Sequence, residues 1–317
     1  MSTQPTPFSQ PVFVVNARSA NGETGRRWPL IHDIIKSQMG SVQVVFTQGP
    51  KHATTLAREA LCTGADLVVA VGGDGTLNEV INGCFDAQGN NLGRKAAVGI
   101  IPQGTGGDYR KTHGFSTDLS EAVARLKRGR TTSVDVARLS AVGFDGQEVN
   151  CHFINIMSFG LSGMVDYLCN TTSKALGGKA SFMLASARAL VSYVNKPVVF
   201  TLDDGEERQE TVQLVALCLG RYFGGGMMMG PDADPCDGLF DVVVQGDFSR
   251  LETIRKSGNV YKGLHVKDPK VKVYRAARVT ARPVEPGDDI FIDMDGETPG
   301  KLPITAQVLP KAIDFVV

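Results

Sequence analysis

The first 130 residues alternate between short apolar runs and longer segments that carry apolar residues at helical spacing. The runs are rich in β-branched residues, as is typical of strands buried on both faces: Val12–Val15, Val42–Phe46, Leu67–Val71 and Ala97–Ile101. Helical spacing is found in His52–Leu61 and in Leu119–Gly129. This alternation predicts a parallel sheet covered by helices, with ligands bound at the carboxyl ends of the strands.

The pattern changes after about residue 130, where short alternating segments dominate. They predict a mainly antiparallel sandwich or barrel: Ser133–Leu139, Val149–Met157, Val198–Leu202, Val212–Leu219, Leu239–Val244, Val271–Tyr274, Val279–Ala281 and Ile290–Met294. Helices are predicted over roughly Phe182–Val194 and Leu251–Tyr261. We therefore predict an α/β fold with a Rossmann-like parallel domain at 1–132 and a β-rich sandwich domain at 133–303. A tail strand within 304–317 is left open to return to either domain.

Composition excludes several classes of protein. Hydrophobic residues make up 42 % and charged residues 21 % of the chain, which indicates a globular protein. Lysine plus arginine equals aspartate plus glutamate at 33 each, so no net charge favours a nucleic-acid partner. The six cysteines form no CxxC pair, and no signal peptide or transmembrane segment is recognisable. We expect a cytoplasmic protein with reduced thiols.

A glycine-rich loop, Val71–Asn78 (VGGDGTLN), follows one of the buried strands and leads into a helical pattern. Three glycines within four residues predict positive φ angles and backbone N–H groups close to a ligand. Such N–H groups at a helix amino terminus bind phosphates. Asp74 among them indicates a role toward Mg²⁺, a ribose or the proton of an attacking hydroxyl. The structural alternative is a tight strand-to-helix turn with an aspartate cap.

The other predicted strands also end in polar loops. Ile101–Asp108 (IPQGTGGD) is a second glycine-rich loop, and Asn16–Gly25 (NARSANGETG) and Thr47 follow the remaining two strands. A GxxxxGK[ST] sequence is missing, which argues against a P-loop enzyme, and the first strand–helix turn lacks the GxGxxG of dehydrogenases. Together these loops predict a nucleotide site at one edge of the sheet.

Four separated motifs resemble the diacylglycerol kinase catalytic-domain family, which includes bacterial lipid kinases and the sphingosine and ceramide kinases. They are GGDGTLNEVING (Gly72–Gly83), PQGTGGDYRKT (Pro102–Thr112), RYFGGGMMMGPDADPCDGLFD (Arg221–Asp241) and DMDGE (Asp293–Glu297). The resemblance implies an ATP-dependent lipid kinase, diacylglycerol-type above all, with ATP bound in a cleft between its two domains. It also implies nucleotide contacts by Asn16, Ala17, Arg18, Ser19, Ala20, Thr47, Gly72, Gly73, Asp74, Gly75, Thr76, Leu77, Asn78 and Thr105.

The same resemblance assigns a structural Mg²⁺ to the carboxylates of Asp234 and Asp237 and the main-chain carbonyl of Leu239. A simple turn at Asp237 is the alternative. In the DGE motif the resemblance makes Glu297 the proton acceptor, with Asp295 and Asp74 completing an acidic cluster. Asp74 ranks second as the base, and an ordinary DG hairpin is the structural alternative. The chain departs from the family's GTxND pattern in having Gly107 at the asparagine position, which puts its nucleotide preference in doubt.

Several alternatives stay open at this point. NAD kinase shares a GGDG loop, although the second loop and the DPCDGLFD segment favour a lipid kinase. A non-catalytic nucleotide- or lipid-binding regulator would not need acidic residues next to phosphates. Phe182–Val194 and Met227–Met229 are expected either to line an acyl-chain groove or to pack in the core. The expected partner is a lipid substrate at a membrane surface, with transient peripheral association; a homodimer is one option for the assembly.

Overall fold

The computed structural model describes residues 7–86, 88–93, 95–171 and 178–317. Its described residues fall into two compact units. The first, the α/β unit, comprises the chain up to Asp135 together with Lys311–Val317. The second, the β-rich unit, comprises Val136–Pro310.

The α/β unit is built on a parallel sheet with the strand order β2–β1–β3–β4. Its strands are β1 (Pro11–Val15), β2 (Gln43–Phe46), β3 (Leu67–Gly72) and β4 (Ala97–Pro102). The carboxyl end of a long strand, Lys301–Val316, pairs with β4 in parallel, with Asp314 opposite Ala97. Every residue of β3 is buried, because helices cover both faces of a parallel sheet. The predicted parallel α/β fold is confirmed.

The helices of this unit are α1 (Glu23–Met39), α2 (His52–Cys62), α3 (Asp74–Gly83), α4 (Asp108–Thr112) and α5 (Leu119–Arg128). Apolar side chains of α1 and α5, such as Ile31, Ile35 and Val123, share one core with the sheet. The chain moves from β1 to β2 in one direction and then back to β3 on the other side of β1. The carboxyl ends of β1 and β3 therefore flank the topological switch point, where α/β sheets bind ligands.

The helix α1 was not predicted from the sequence. The predicted loop Asn16–Gly25 is shorter than expected, because a 3-10 turn at Ser19–Gly22 runs directly into α1 at Glu23. The helix contains Pro29, and its buried residues are only Thr24, Ile31 and Ile35. The proline argues against a helix in the sequence, although Trp28, Ile31 and Ile35 do recur at helical spacing.

The β-rich unit is a sandwich of two antiparallel sheets. Its strands are β5 (Thr131–Val142, which begins in the α/β unit), β6 (Glu148–Phe153), β7 (Ile156–Gly160), β8 (Lys196–Leu202), β9 (Arg208–Val212), β10 (Leu214–Cys218), β11 (Tyr222–Phe223), β12 (Met227–Met228), β13 (Phe240–Gln245), β14 (Val271–Ala276), β15 (Arg278–Pro283), β16 (Ile292–Met294) and β17 (Lys301–Val316). One sheet has the order β14–β13–β10–β7–β16; the other contains β17–β15–β8–β9, with β5 and β6 joined to β17. Side chains from both sheets, among them Phe159, Phe200 and Phe240, share one core. The predicted β-rich fold is confirmed.

In the described part of this unit, three α-helices interrupt the strands: α6 (Leu161–Thr171), α7 (Gly178–Ser192) and α8 (Arg250–Tyr261). The predictions of α7 and α8 are confirmed, whereas α6 was missed. Val149–Met157, predicted as one strand, is two strands, since the chain leaves the ladder between Phe153 and Ile156. In the part of the chain that the structure describes, we find no helix with the length and apolar character needed to cross a bilayer.

Candidate functional site

The two glycine-rich loops of the α/β unit touch through their backbones. A Cβ atom placed on Gly104 would stand 2.4 Å from the Cα of Gly73, and the N–H of Gln103 donates to the carbonyl of Gly72 at 2.7 Å. The positive φ expected at Gly72, Gly73 and Gly75 is wrong: in these two fully described loops only Gly107 has one, at +60°. Gly72 and Gly73 are instead required by close approach: a Cβ on Gly72 would stand 2.4 Å from Oγ1 of Thr76, and one on Gly73 would stand 3.1 Å from the Cα of Gly104.

Asp74 ties the second loop to the first. Its Oδ2 accepts the N–H of Asp108 at 2.9 Å and its Oδ1 accepts the N–H of Tyr109 at 3.3 Å, so it caps the start of α4. Burial raises the pKa of Asp74 and the neighbouring Asp108 carboxylate raises it further, while the two backbone hydrogen bonds lower it. The carboxylate thus holds a helix amino terminus in place.

The loop after β1 is fastened to the same edge of the sheet. The side chain of Asn16 donates from Nδ2 to Oγ1 of Thr76 at 3.1 Å, and its backbone N–H donates to the carbonyl of Val71 at 3.0 Å. Its Oδ1 accepts the N–H of Arg18 at 3.1 Å. Asn16 therefore joins the end of β1 to the first turn of α3 across the switch point. The first N–H groups of a helix have no partner within it, so this turn can bind an anion.

The rest of the β1 loop reaches the second glycine-rich loop through a chain of hydroxyls. The Oγ of Ser19 lies 2.5 Å from Oγ1 of Thr24, which donates to the carbonyl of Gln103 at 3.2 Å. Gly25 has no room for a Cβ, which would stand 2.9 Å from the carbonyl oxygen of Ala17. Ala20 takes a left-handed conformation with φ 51°. Three of the predicted loops are thereby linked within the α/β unit.

The remaining residues predicted to contact the nucleotide differ in accessibility. Leu77 and Asn78 are 0 % and 5 % exposed and lie inside α3, where they hold the helix in place. Gly75 belongs to the first turn of that helix, and Thr105 is exposed in the second loop. Thr47 follows β2, and its N–H donates to the carbonyl of Val15 at 2.9 Å. The accessible part of the predicted set therefore surrounds the ends of β1, β2, β3 and β4.

In the β-rich unit the DGE motif forms a two-residue hairpin after β16. Asp295 and Gly296 have φ angles of 51° and 86°, and Met294 and Glu297 exchange backbone hydrogen bonds of 2.8 and 2.9 Å. The carboxylate of Asp295 accepts the N–H groups of Ile154 and Ile156 at 3.1 and 3.0 Å. Asp295 therefore anchors the turn to the break between β6 and β7, and it presents Glu297 as an exposed side chain.

A buried pair of acids lies beneath this hairpin. Asp293 is 8 % exposed and accepts the N–H of Gly296 at 3.1 Å and the hydroxyl of Ser158 at 3.3 Å. Asp166 of α6 is hydrogen-bonded to it. Burial raises the pKa of both carboxyls, the charge of Asp166 raises the pKa of Asp293 further, and the charge of Glu297 raises the pKa of Asp166. The pair is expected to hold a proton.

Asp166 was not predicted from the sequence, and Asp293 was predicted only as part of the DMDGE motif. The available signal was Asp166 as the one charged residue of the stretch Leu161–Cys169.

The loop predicted to hold Mg²⁺ lies before β13. The carboxylate of Asp234 accepts the N–H of Cys236 and that of Asp237 accepts the N–H of Leu239, both at 3.0 Å. Arg275 pairs with the second oxygen of Asp237. Burial raises the pKa of Asp241 nearby; Arg275 lowers it, and the carboxylates of Asp237 and Asp232 raise it.

This loop suits a hard cation chemically, because one arginine faces several carboxylates. Across the described residues, no three acidic, histidine or cysteine side chains are gathered as ligands of one ion. Two carboxylates and one carbonyl are nevertheless sufficient protein ligands for Mg²⁺, because this ion usually keeps several water molecules in its coordination shell.

The two apolar segments predicted to line a groove or the core behave differently. Met229 is 2 % exposed, and Met227 packs against the same cluster, so the methionines belong mainly to the core. In α7, Ala185 and Ala189 are buried whereas Val191 is exposed; the side chains of residues 178–183 lie outside the described part.

Comparison with known protein families matches both halves of the chain. The profile of the diacylglycerol kinase catalytic domain matches residues 10–139, and that of the YegS C-terminal NAD kinase beta sandwich-like domain matches residues 155–317. A diacylglycerol kinase of Staphylococcus epidermidis (strain ATCC 35984) is 30 % identical over 263 residues, which are 83 % of this chain and 78 % of that protein. A diacylglycerol kinase of Bacillus subtilis (strain 168) is 28 % identical over 284 residues, 86 % of this chain and 88 % of its own.

Solved structures share the fold at lower identity. A diacylglycerol kinase from Bacillus anthracis str. Sterne superposes with a TM-score of 0.70 at 21 % identity, covering 98 % of this chain and 97 % of its own. An NAD kinase from Archaeoglobus fulgidus in complex with ATP superposes with a TM-score of 0.51 at 14 % identity, covering 97 % and 94 %.

Proposed function

Because this chain belongs to the diacylglycerol kinase catalytic-domain family, we propose that it transfers the γ-phosphate of ATP to the hydroxyl group of a membrane lipid, of the diacylglycerol type. The observation that carries this proposal is the backbone contact between Gly73 and Gly104 at the carboxyl ends of β3 and β4, next to the switch point of the sheet. That contact leaves no room for side chains where two strand-to-helix loops converge, and a polyphosphate needs such bare backbone.

The phosphates are proposed to bind to the first turn of α3, with the loop after β1 beside it. Asn16 and Asp74 support this arrangement, because they fix the neighbouring loops by hydrogen bonds to backbone and hydroxyl groups. A site held in this way needs little rearrangement when the nucleotide binds, which favours precise placement of the γ-phosphate. Gly107, at a left-handed position that glycine and asparagine both tolerate, keeps the shape of the second loop without the amide.

Glu297 is proposed as the group that accepts the proton of the lipid hydroxyl. The hydroxyl oxygen forms a bond to the γ-phosphorus, the bond from that phosphorus to the β–γ bridging oxygen breaks, and ADP leaves. Glu297 ranks above Asp295 and Asp74, because it is exposed at the tip of the hairpin, whereas the other two carboxylates hold backbone N–H groups in place.

Mg²⁺ is proposed to bind Asp234, Asp237 and the carbonyl of Leu239. There it would neutralise the carboxylates that Arg275 alone leaves unbalanced. In this role the ion stabilises the loop before β13.

The decisive test is an assay with γ-labelled ATP against a panel of lipids, with NAD present as a competing acceptor. We expect label in diacylglycerol and little in NAD. Label in NAD and in no lipid would replace the lipid kinase by an NAD kinase, whose fold is similar. Nucleotide binding without any transfer would instead indicate a non-catalytic regulator.

A further inference from the structure

The helix α8 presents an apolar stripe to solvent. Leu251, Ile254 and Tyr261 are 73 %, 57 % and 55 % exposed. A helix advances by about 100° per residue, so positions three, seven and ten residues apart fall within one face. Gly258 lies on the same face between Ile254 and Tyr261. The 3-10 helix that follows adds the exposed side chain of Leu264. Exposed apolar side chains aligned on one helix face indicate a binding surface.

The opposite face of α8 holds the helix to the β-rich unit. Thr253 accepts a hydrogen bond from Nε2 of Gln213 at 2.7 Å, and Val260 packs against a core cluster. Ser249 and Glu252 form a capping box, and Glu252 also pairs with Lys270 at 2.9 Å. The only acid of the helix is therefore engaged away from the apolar stripe.

Cations border the stripe on both sides. Arg255 and Lys262 flank one edge and Arg250 the other, and all three are exposed. Among the residues that the structure describes, none of the three is ion-paired with a carboxylate, in contrast to Lys256, which pairs with Asp268 at 2.6 Å, and to Lys270. An apolar stripe bordered by unpaired cations is the pattern of a helix that lies in the plane of an anionic bilayer.

Two further exposed apolar side chains lie at the end of α7 and just after it. Val191 and Val194 are 69 % and 64 % exposed. Val194 and Arg250 line the same cavity of about 390 Å³, which joins the end of α7 to the beginning of α8. An exposed valine therefore lies close to the amino end of α8, where the apolar stripe begins.

We propose that this face, defined by Leu251, Ile254 and Tyr261 with Arg250, Arg255 and Lys262, docks on an anionic phospholipid bilayer. The inference rests on the proposed lipid kinase function, since it supplies the contact through which the enzyme reaches a membrane-embedded acceptor. Because lysine plus arginine equals aspartate plus glutamate over the whole chain, the attraction must come from this local arrangement of cations.

Flotation with vesicles, without ATP or lipid substrate, tests the proposal directly. Vesicles of phosphatidylcholine with phosphatidylglycerol are compared with vesicles of phosphatidylcholine alone, at low and at high salt. We expect wild type to bind the anionic vesicles more tightly, and the preference to shrink at high salt. Arg255→Glu with Lys262→Glu should weaken binding at least about 25-fold, at about fivefold for each cation removed. Leu251→Ser with Ile254→Ser should weaken binding to both kinds of vesicle by about a hundredfold.

The matched control is Lys36→Glu with Arg130→Glu, which changes the net charge equally at exposed positions of the α/β unit. Equal loss of binding in the control and in the α8 charge variant would refute the location. Self-association that Leu251→Ser with Ile254→Ser abolishes, without vesicle binding by wild type, would make this face a contact between copies of the chain and overturn the proposal.

Kinase activity on a detergent-dispersed lipid separates this inference from the proposed function. Activity there, together with vesicle binding that the α8 variants leave unchanged, refutes the docking face alone. Vesicle binding that depends on α8, together with no transfer to any lipid, refutes the proposed function alone.

Discussion

Replacing Gly104 by alanine tests whether the two glycine-rich loops touch. The added Cβ would stand 2.4 Å from the Cα of Gly73 and 3.2 Å from its nitrogen, and both are backbone atoms that cannot rotate away. Ordinary contacts of a Cβ begin at 3.4 Å, so the loops must separate by about 1.0 Å (3.4 minus 2.4). That shift strains the backbone hydrogen bonds that Asp74 accepts from the start of α4.

A displacement of this size is expected to lower kcat/KM for ATP about a hundredfold, because phosphoryl transfer depends on placement at the ångström scale. Overpacking costs about 1–3 kcal/mol of folding free energy. Steady-state kinetics with varied ATP measure the first effect and chemical denaturation the second. We also expect the Gly104→Ala variant to bind ATP more weakly, and calorimetry measures that affinity.

The matched control is Gly49→Ala, since a Cβ placed on Gly49 would have no atom within 4 Å and the residue has no positive φ. It should retain the ATP kinetics and the stability of wild type. Normal kcat/KM, nucleotide affinity and stability in Gly104→Ala would show that these loops do not approach each other as described.

Further predictions concern the acidic residues of the β-rich unit. Glu297→Gln should lower kcat by about 10²–10⁴-fold without changing ATP affinity or Tm, and near-normal turnover would exclude Glu297 as the base. Asp295→Asn should lower both activity and Tm, because it disturbs the part-buried hydrogen bonds that the carboxylate accepts from two backbone N–H groups. Kinetics and melting curves distinguish the two variants. The pKa of Asp293 is raised in the folded protein, so this carboxyl contributes stability below pH 3.8, and that contribution is lost as the pH rises through the pKa of the folded state. The Tm of Asp293→Asn should therefore increase relative to that of wild type as the pH rises. Parallel curves of Tm against pH for the two proteins would contradict this. Asp237→Ala should cost about 0.5–1.5 kcal/mol and abolish any rise in Tm with Mg²⁺, and an unchanged Mg²⁺ titration would refute the proposed ligand.

The strands and the glycine-rich loops were predictable because their signals are local. β1, β3 and β4 each lie within one residue of the predicted runs, since fully buried parallel strands are continuous apolar segments. The convergence of the two loops also follows from neighbouring parallel strands ending at one edge.

The roles of individual residues could not be predicted from the sequence, because they depend on contacts with residues distant in the chain. Gly72 and Gly73 were expected to adopt positive φ, but the side chain of Thr76 and the second loop are what exclude a Cβ there. The break after Phe153 is set by Asp295, some 140 residues further on, so no local pattern could show it. The partnership of Asp166 with Asp293 likewise arises only from the packing of α6 beneath the hairpin.

The long strand β17 determines the order in which this protein can be completed during translation. Its final residues pair with β4, and Arg125, buried in the α/β unit, donates to the carbonyls of Val316 and Ile100. Lys311–Val317 leave the ribosome only after the whole of Val136–Pro310 has been synthesised. The α/β unit therefore begins to be synthesised first but obtains the last strand of its sheet only at the end of translation. A premature stop before Lys311 would leave the guanidinium of Arg125 without the carbonyl of Val316.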